Sequence, residues 1–169
     1  NFYYAANPTY GNAIVYNKCS SVVNRDLRVT IPKTSGASEV RSMGAVEFED
    51  FVFCVTHLDH TSDAARQDGA KLITEWALKN YGYGKTTKPV FLVGDFNSYP
   101  DSEAIQALEG VWNRLSSHEL TASSAQPNKC IDYIFCYKKG APVKVIGTHA
   151  MTRFHKGDVT KTSDHLPVY

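Results

Sequence analysis

The run Val90-Phe91-Leu92-Val93 stops abruptly at Gly94-Asp95-Phe96-Asn97-Ser98-Tyr99-Pro100, and no other stretch constrains the fold as much. An apolar run bounded by turn formers reads as a buried strand that delivers polar groups at its carboxyl end. An aspartate beside a buried strand is costly unless a metal, a hydrogen-bond network or a substrate compensates. Two readings stand at this point: a functional site, or an Asx-type turn in which Asp95 and Asn97 only cap the backbone.

A chain of 169 residues with 43% hydrophobic content supports one domain with a substantial core. Its formal net charge of +1 gives little long-range steering, so any polyanion contact needs a local basic cluster. No apolar run approaches the roughly 20 residues of a membrane-spanning helix. The sequence starts at Asn1 without a basic or apolar leader, so a processed or partial chain is expected, with a secreted or periplasmic location. Cys19, Cys54, Cys130 and Cys136 lack C-x-x-C spacing, and Cys54 and Cys136 lie in strand-like runs as buried thiols.

In chain order, 1–10 is aromatic and polar without a period, with a turn at Asn7-Pro8. Strands are expected over 12–16, 27–31, 43–49 and 51–57, the last two as a hairpin across Asp50. Ser62 and Asp63 cap a helix that Asn80 and Gly82 close. A short helix follows from 101 or 102 to 108, with Trp112 and Leu115 packing beneath it. The segment 120–129 reads as a loop, 131–137 as a strand, and 143–148 as its successor. Many strands with few helices favour two packed sheets flanked by helices over a doubly wound parallel sheet.

Three further polar clusters sit at strand ends in the manner of Asp95: Thr56-His57-Leu58-Asp59-His60, Ile131-Asp132-Tyr133 and Ser163-Asp164-His165. Polar groups from separated segments form a site only where one rim of a scaffold collects them. In this order, with Asn12-Ala13-Ile14 before them and Leu166-Pro167-Val168 after, the clusters resemble the endonuclease/exonuclease/phosphatase superfamily, which includes deoxyribonucleases, sphingomyelinases and inositol polyphosphate phosphatases. The resemblance runs from about Gly11 to Tyr169. It implies an α/β fold, the deoxyribonuclease-I-like four-layer α-β-β-α sandwich, as a single domain over 1–169 that is incomplete at its amino-terminal side.

The resemblance also implies hydrolysis of phosphate esters with magnesium or manganese, a hard cation that oxygen ligands suit. Asp164 and Asp95 correspond to metal ligands. Asp95 and Asn97 correspond to groups that activate water and hold phosphoryl oxygens. His165 corresponds to the histidine beside the scissile phosphate, with Asp132 holding its ring and favouring its charged form. His57 corresponds to a second catalytic, substrate-contacting histidine. The division of acid and base between the histidines stays open.

One departure matters. Relatives carry an early strand with an asparagine and a second strand ending in a metal-binding glutamate, and neither motif occurs here. The expectation is therefore the carboxyl-terminal part of a longer phosphoesterase, with weak metal binding and impaired activity. The alternative is a non-catalytic binding module that keeps the sandwich. Arg66 reads as a phosphate contact or as a helix-surface ion pair. His60 reads as a helix-entry residue, and His118, His149 and His155 as surface residues. Tyr81, Tyr83 and Lys85, with Lys88 and Tyr99, read as part of a nucleic-acid track or as an ordinary flexible connector, and the run Arg153, Lys156, Lys161 as a polyanion contact or a solvated loop. Gly69 stands where many relatives place a glutamine, three residues after an arginine. Nucleic acid and a phosphorylated small molecule are not distinguished as substrates.

Overall fold

A computed structural model describes residues 2–6, 11–34, 36–82, 84–153 and 157–169. Its scaffold is a six-stranded sheet with a two-stranded ribbon on one face. The ribbon pairs β1 (Phe2–Ala6) with β2 (Gly11–Val15) in antiparallel fashion. β3 (Val22–Ile31), β4 (Arg41–Phe48) and β5 (Val52–His57) form an antiparallel meander, the β4–β5 hairpin turning at Glu49 and Asp50 as expected.

After β5 the chain crosses over through α1 (Asp63–Tyr81) and returns as β6 (Val90–Asp95), parallel to β5. Parallel neighbours need such a crossover, because a tight turn only reverses the chain. The Ser62 hydroxyl accepts from the Ala65 N–H at 3.2 Å, which fixes the helix start where the sequence placed it. α2 (Glu103–Val111), capped by Ser102, leads into the short β7 (Trp112–Arg114), and β8 (Asp132–Tyr137) inserts between β6 and β7.

Alternation along the strands assigns each face. Met43, Ala45, Val52, Cys54, Val90, Leu92 and Phe135 point to α1 and α2, where Ala70, Ile73, Ala77, Ile105 and Leu108 complete the main core. Removing each Val, Leu, Ile, Met or Phe side chain among these from water contributes about 1.5–3 kcal/mol. On the opposite face Val46 and Phe48 pack with Ile14 of β2, flanked by Phe53 and Val55. The expected two-sheet, helix-flanked α/β architecture is thus present, with one helix layer, a full sheet and a two-stranded second sheet among the described residues.

Three local expectations change. Residues 2–6 form β1, because pairing with β2 rather than side-chain periodicity defines that strand. Residues 143–148 form no strand; β8 takes β7 as its partner, and Ile146 is left 98% exposed. Trp112 packs beneath the helices, its indole donating to the Thr74 hydroxyl at 3.1 Å, but Leu115 lines a groove with Phe91 and Ile134 on the other face. Gly69 is a close helix–sheet approach: a Cβ there would lie 2.9 Å from Leu58, so a larger residue does not fit without displacement. The turn expected at Asn7-Pro8 lies outside the described residues.

Candidate active site

Register builds the first part of the site. His57 pairs with Asp95 across β5–β6, and Asp95 pairs with Asp132 across β6–β8, so three central strands end in one row of polar residues. Strand parity puts this row on the face opposite the helices. Gly94 makes the row possible. Its φ of +143° disfavours other residues, and a Cβ there would fall 1.9 Å from the Thr56 carbonyl oxygen of β5.

Both readings of the Asp95 turn hold together. The Asn97 N–H donates to Asp95 Oδ1 at 2.7 Å, an Asx turn, and Asn97 sits at φ +49°, a conformation asparagine tolerates better than most residues. Its side-chain amide donates to the Leu58 carbonyl at 3.1 Å, tying the turn after β6 to the turn after β5. Asp95 Oδ2 meanwhile faces two imidazoles, 3.3 Å from His57 Nε2 and 3.8 Å from His165 Nε2.

His165 comes from the carboxyl-terminal segment, and the stretch 121–124, read as an ordinary loop, is what places it. Ala122 bridges to His165, the Leu166 N–H donates to the Thr121 carbonyl at 2.6 Å, and Ser124 binds the Asp164 and Ser163 carbonyls through its N–H and hydroxyl. Asp132 Oδ2 then receives the Thr121 hydroxyl at 2.6 Å and stands 2.8 Å from His165 Nδ1. Asp132 fixes the imidazole with Nε2 toward Asp95.

The two histidines differ electrostatically. Burial lowers the pKa of His165, but the neighbouring carboxylates Asp132, Asp95 and Asp164 outweigh it, and the net shift is upward from 6.5. For His57, burial lowers the pKa and Asp95 raises it; Arg41 and His165 add to the lowering, and the net shift is downward. Burial raises the pKa of Asp132, with the Thr121 hydrogen bond opposing.

These groups line a cavity of about 590 Å³ with Asn97, Glu39, Arg41, His60, Ser163 and the exposed Asp164. All six expected residues, His57, Asp95, Asn97, Asp132, Asp164 and His165, therefore meet at one cleft. Glu39, Arg41 and His60 join them unforeseen. Arg41 is only 6% exposed; its guanidinium pairs with Glu39 at 2.8 Å and lies 3.1 Å from His60 Nδ1. The signal available was Glu39-x-Arg41 at the start of a strand, a common surface pattern. His60, read as a helix-entry residue, belongs to the cleft wall.

Other candidates do not reach it. Arg66 donates to the Asp59 carbonyl at 2.9 Å and pairs with Asp63, which settles its helix ion-pair reading. Tyr81 is buried against Trp76 and Lys88 pairs with Glu47, both near the start of β6 rather than at its Asp95 end, so they form no track to the site. His149 faces Glu119 and His118 faces Arg114. Tyr83, His155 and Lys156 lie outside the described residues. All four cysteines are free thiols, Cys19 exposed and the others buried.

Asp95, Asp132 and His165 offer ligand atoms within 4.8 Å of one another, a spacing compatible with one metal ion. Asp132 Oδ2 is engaged by Thr121 and His165 and Glu39 is paired with Arg41, which leaves Asp95 and Asp164 as the cleft carboxylates most open to a cation. Such oxygen donors fit a hard divalent cation.

No curated protein matches the chain significantly. Solved structures do. A mannosyl-6-phosphatase of Bacteroides thetaiotaomicron is 22% identical with a TM-score of 0.72, the match covering 92% of this chain and 68% of the other. An endonuclease/exonuclease/phosphatase family protein of the same organism is 24% identical, TM-score 0.69, over 92% and 65%. Truncated TDP2 of Caenorhabditis elegans is 15% identical, TM-score 0.75, over 99% and 73%. The chain spans about two thirds of the length of the two Bacteroides proteins, 68% and 65%. At these identities the likeness concerns the fold. The sequence model of the Endonuclease/Exonuclease/phosphatase family matches residues 3–165, nearly the whole chain, and the chain belongs to that family.

Proposed function

We propose that this protein hydrolyses phosphate esters with a divalent cation, magnesium or manganese, at the cleft formed by His57, Asp95, Asn97, Asp132, Asp164 and His165. The observation that carries the reading is the pair of imidazoles facing one Asp95 oxygen, with His165 braced by Asp132 at 2.8 Å. Opposite pKa shifts divide their labour: His165 is the charged partner and His57 the neutral one.

In the proposed reaction Asp95, assisted by neutral His57, takes a proton from the attacking water while the water oxygen bonds to phosphorus. The bond from phosphorus to the leaving oxygen breaks, and His165 Nε2–H supplies that oxygen with its proton. Asn97 and Arg41 hold phosphoryl oxygens, Arg41 with a fixed positive charge. A cation held by Asp164 and Asp95 adds Lewis-acid charge on the phosphoryl group when bound. With Glu39 paired to Arg41 and Asp132 to His165, the two remaining carboxylates are a small ligand set, since affinity follows ligand number and charge. Weak metal binding and slow turnover of this chain are therefore part of the proposal.

The test is a panel of phosphomonoesters and phosphodiesters assayed across a magnesium and manganese titration. Slow release that rises without saturating until high metal concentration, and stops with chelator, is the expected outcome. No release from any ester at any metal concentration would return the site to the binding-module reading.

A further inference from the structure

Asp59 touches neither the cavity nor any catalytic group described above, yet it is only 2% exposed and its carboxylate is fully engaged. Oδ2 accepts from the Ser38 N–H at 2.9 Å and the Ser38 hydroxyl at 2.5 Å. Oδ1 accepts from the Thr61 N–H at 2.9 Å, the Thr61 hydroxyl at 2.8 Å and the Ser62 N–H at 3.0 Å. Burial raises its pKa, but the hydrogen bonds from Ser38 and Thr61 outweigh that and hold it well below the usual carboxylate range. The carboxylate joins two segments, the turn between β5 and α1 and the loop between β3 and β4. The Thr61 hydroxyl also lies 3.1 Å from the Gly36 carbonyl of that loop.

Each joined segment supplies one partner of Arg41. Glu39, next to Ser38, pairs with the guanidinium from the loop side, and His60, next to Asp59, contacts it from the turn side. Relative movement of the two segments would therefore move Arg41, the cavity's arginine, with respect to His57 and Asp95. We propose that Asp59 is a positioning residue: through Ser38 it fixes the two walls of the cleft so that Arg41 is presented to the phosphoryl oxygens of the substrate. This rests on the phosphate-ester reading of the cleft. An asparagine at the position has one acceptor oxygen and turns an N–H₂ toward groups that are themselves donors, so one side of the clamp opens.

The experiment uses the full chain and three variants, Asp59→Asn, Ser38→Ala and Ser38→Thr. Calorimetric binding of inorganic phosphate, thermal unfolding, and KM and kcat on bis(p-nitrophenyl) phosphate with magnesium are measured for each. Misplacement on the ångström scale predicts a rise of about 10- to 100-fold in phosphate Kd and KM for Asp59→Asn, with kcat changed by less than about threefold. Ser38→Ala shows a smaller rise, and Ser38→Thr, which keeps the hydroxyl, restores wild-type binding. A merely structural role moves the unfolding midpoint while phosphate affinity and KM of the folded protein stay at wild type, and that result overturns the proposal. If Asp59→Asn does not fold, Ser38→Ala decides, and wild-type Kd and KM there overturn it. Phosphate binding needs no turnover, so a Kd defect in a chain without hydrolysis supports the clamp and removes the hydrolytic reading. Normal hydrolysis with unaltered variants removes only the clamp, and a wild-type chain that binds no phosphate overturns it as well.

Discussion

Beneath α1 and α2, Val52, Cys54, Val90, Leu92 and Phe135 have no exposed surface. The residues between them on the same strands, Phe53, Val55, Phe91, Val93 and Ile134, are half-buried and lead along the opposite face to His57, Asp95 and Asp132. One face of the sheet is packed dry by helices; the other is covered by a two-stranded ribbon over β4 and β5 and opens at its end into the cleft. Three strands thus hold the fold with alternate residues and the site with those between. A substitution on one face is expected to change stability and leave the chemistry of the folded molecule alone, and the converse holds on the other.

The open face responds most strongly to a change at Asp95. Asp95→Asn keeps the turn's shape but removes the proposed base and a charge of the proposed cation site, so hydrolysis is expected to fall by about 10²- to 10⁴-fold with little change in unfolding midpoint. Initial rates and thermal melts on the same samples check this. Next comes the dry face: Leu92→Ala, at a position with no exposed surface, destabilises by about 2–5 kcal/mol in urea unfolding, while the rate per folded molecule holds. Equal losses of rate and stability in both variants would erase the distinction between the faces.

Gly94 belongs to both, since it supports β5–β6 pairing and aims Asp95. Gly94→Ala therefore lowers stability by about 1–3 kcal/mol and lowers the rate as well, the one substitution here expected to do both. The smallest effect is in pH. His57, with its pKa below 6.5, is neutral above that value, and His165, raised above 6.5, stays charged up to its own pKa. Activity is expected to be bell-shaped, its acid limb set by His57 below 6.5 and its alkaline limb by His165 above 6.5. The stability contributed by His165 is fully present below 6.5 and lost as pH rises through its raised pKa. The contribution of His57 has the opposite sense, present above 6.5 and lost as pH falls through its lowered pKa. A rate–pH profile in which both limbs lie on one side of 6.5 contradicts the assignment.

The site was legible where its residues travel in short fixed strings. Gly94-Asp95-Phe96-Asn97, Thr56-His57-Leu58 and Ser163-Asp164-His165 each end or follow a strand, and turn chemistry holds their geometry locally. Arg41 was not legible, because it reaches the cleft through a long-range register and its partners Glu39 and His60 come from different segments. Thr121 was hidden in a polar loop for the same reason, since its role depends on Asp132 eleven residues later. The helices were read well from caps and period. The stretch 143–148 misled because apolar alternation marks a strand only where a partner edge is free, and β7 already occupies that side of β8.

Whether the open face carries chemistry separable from the fold is decided by His165→Ala. Phosphodiester hydrolysis at high magnesium and the thermal unfolding midpoint are measured on the same preparation beside wild type. A rate loss of at least about 10²-fold with a midpoint little changed is the predicted result. Wild-type hydrolysis by the variant, or a rate loss accounted for entirely by unfolding, would contradict it.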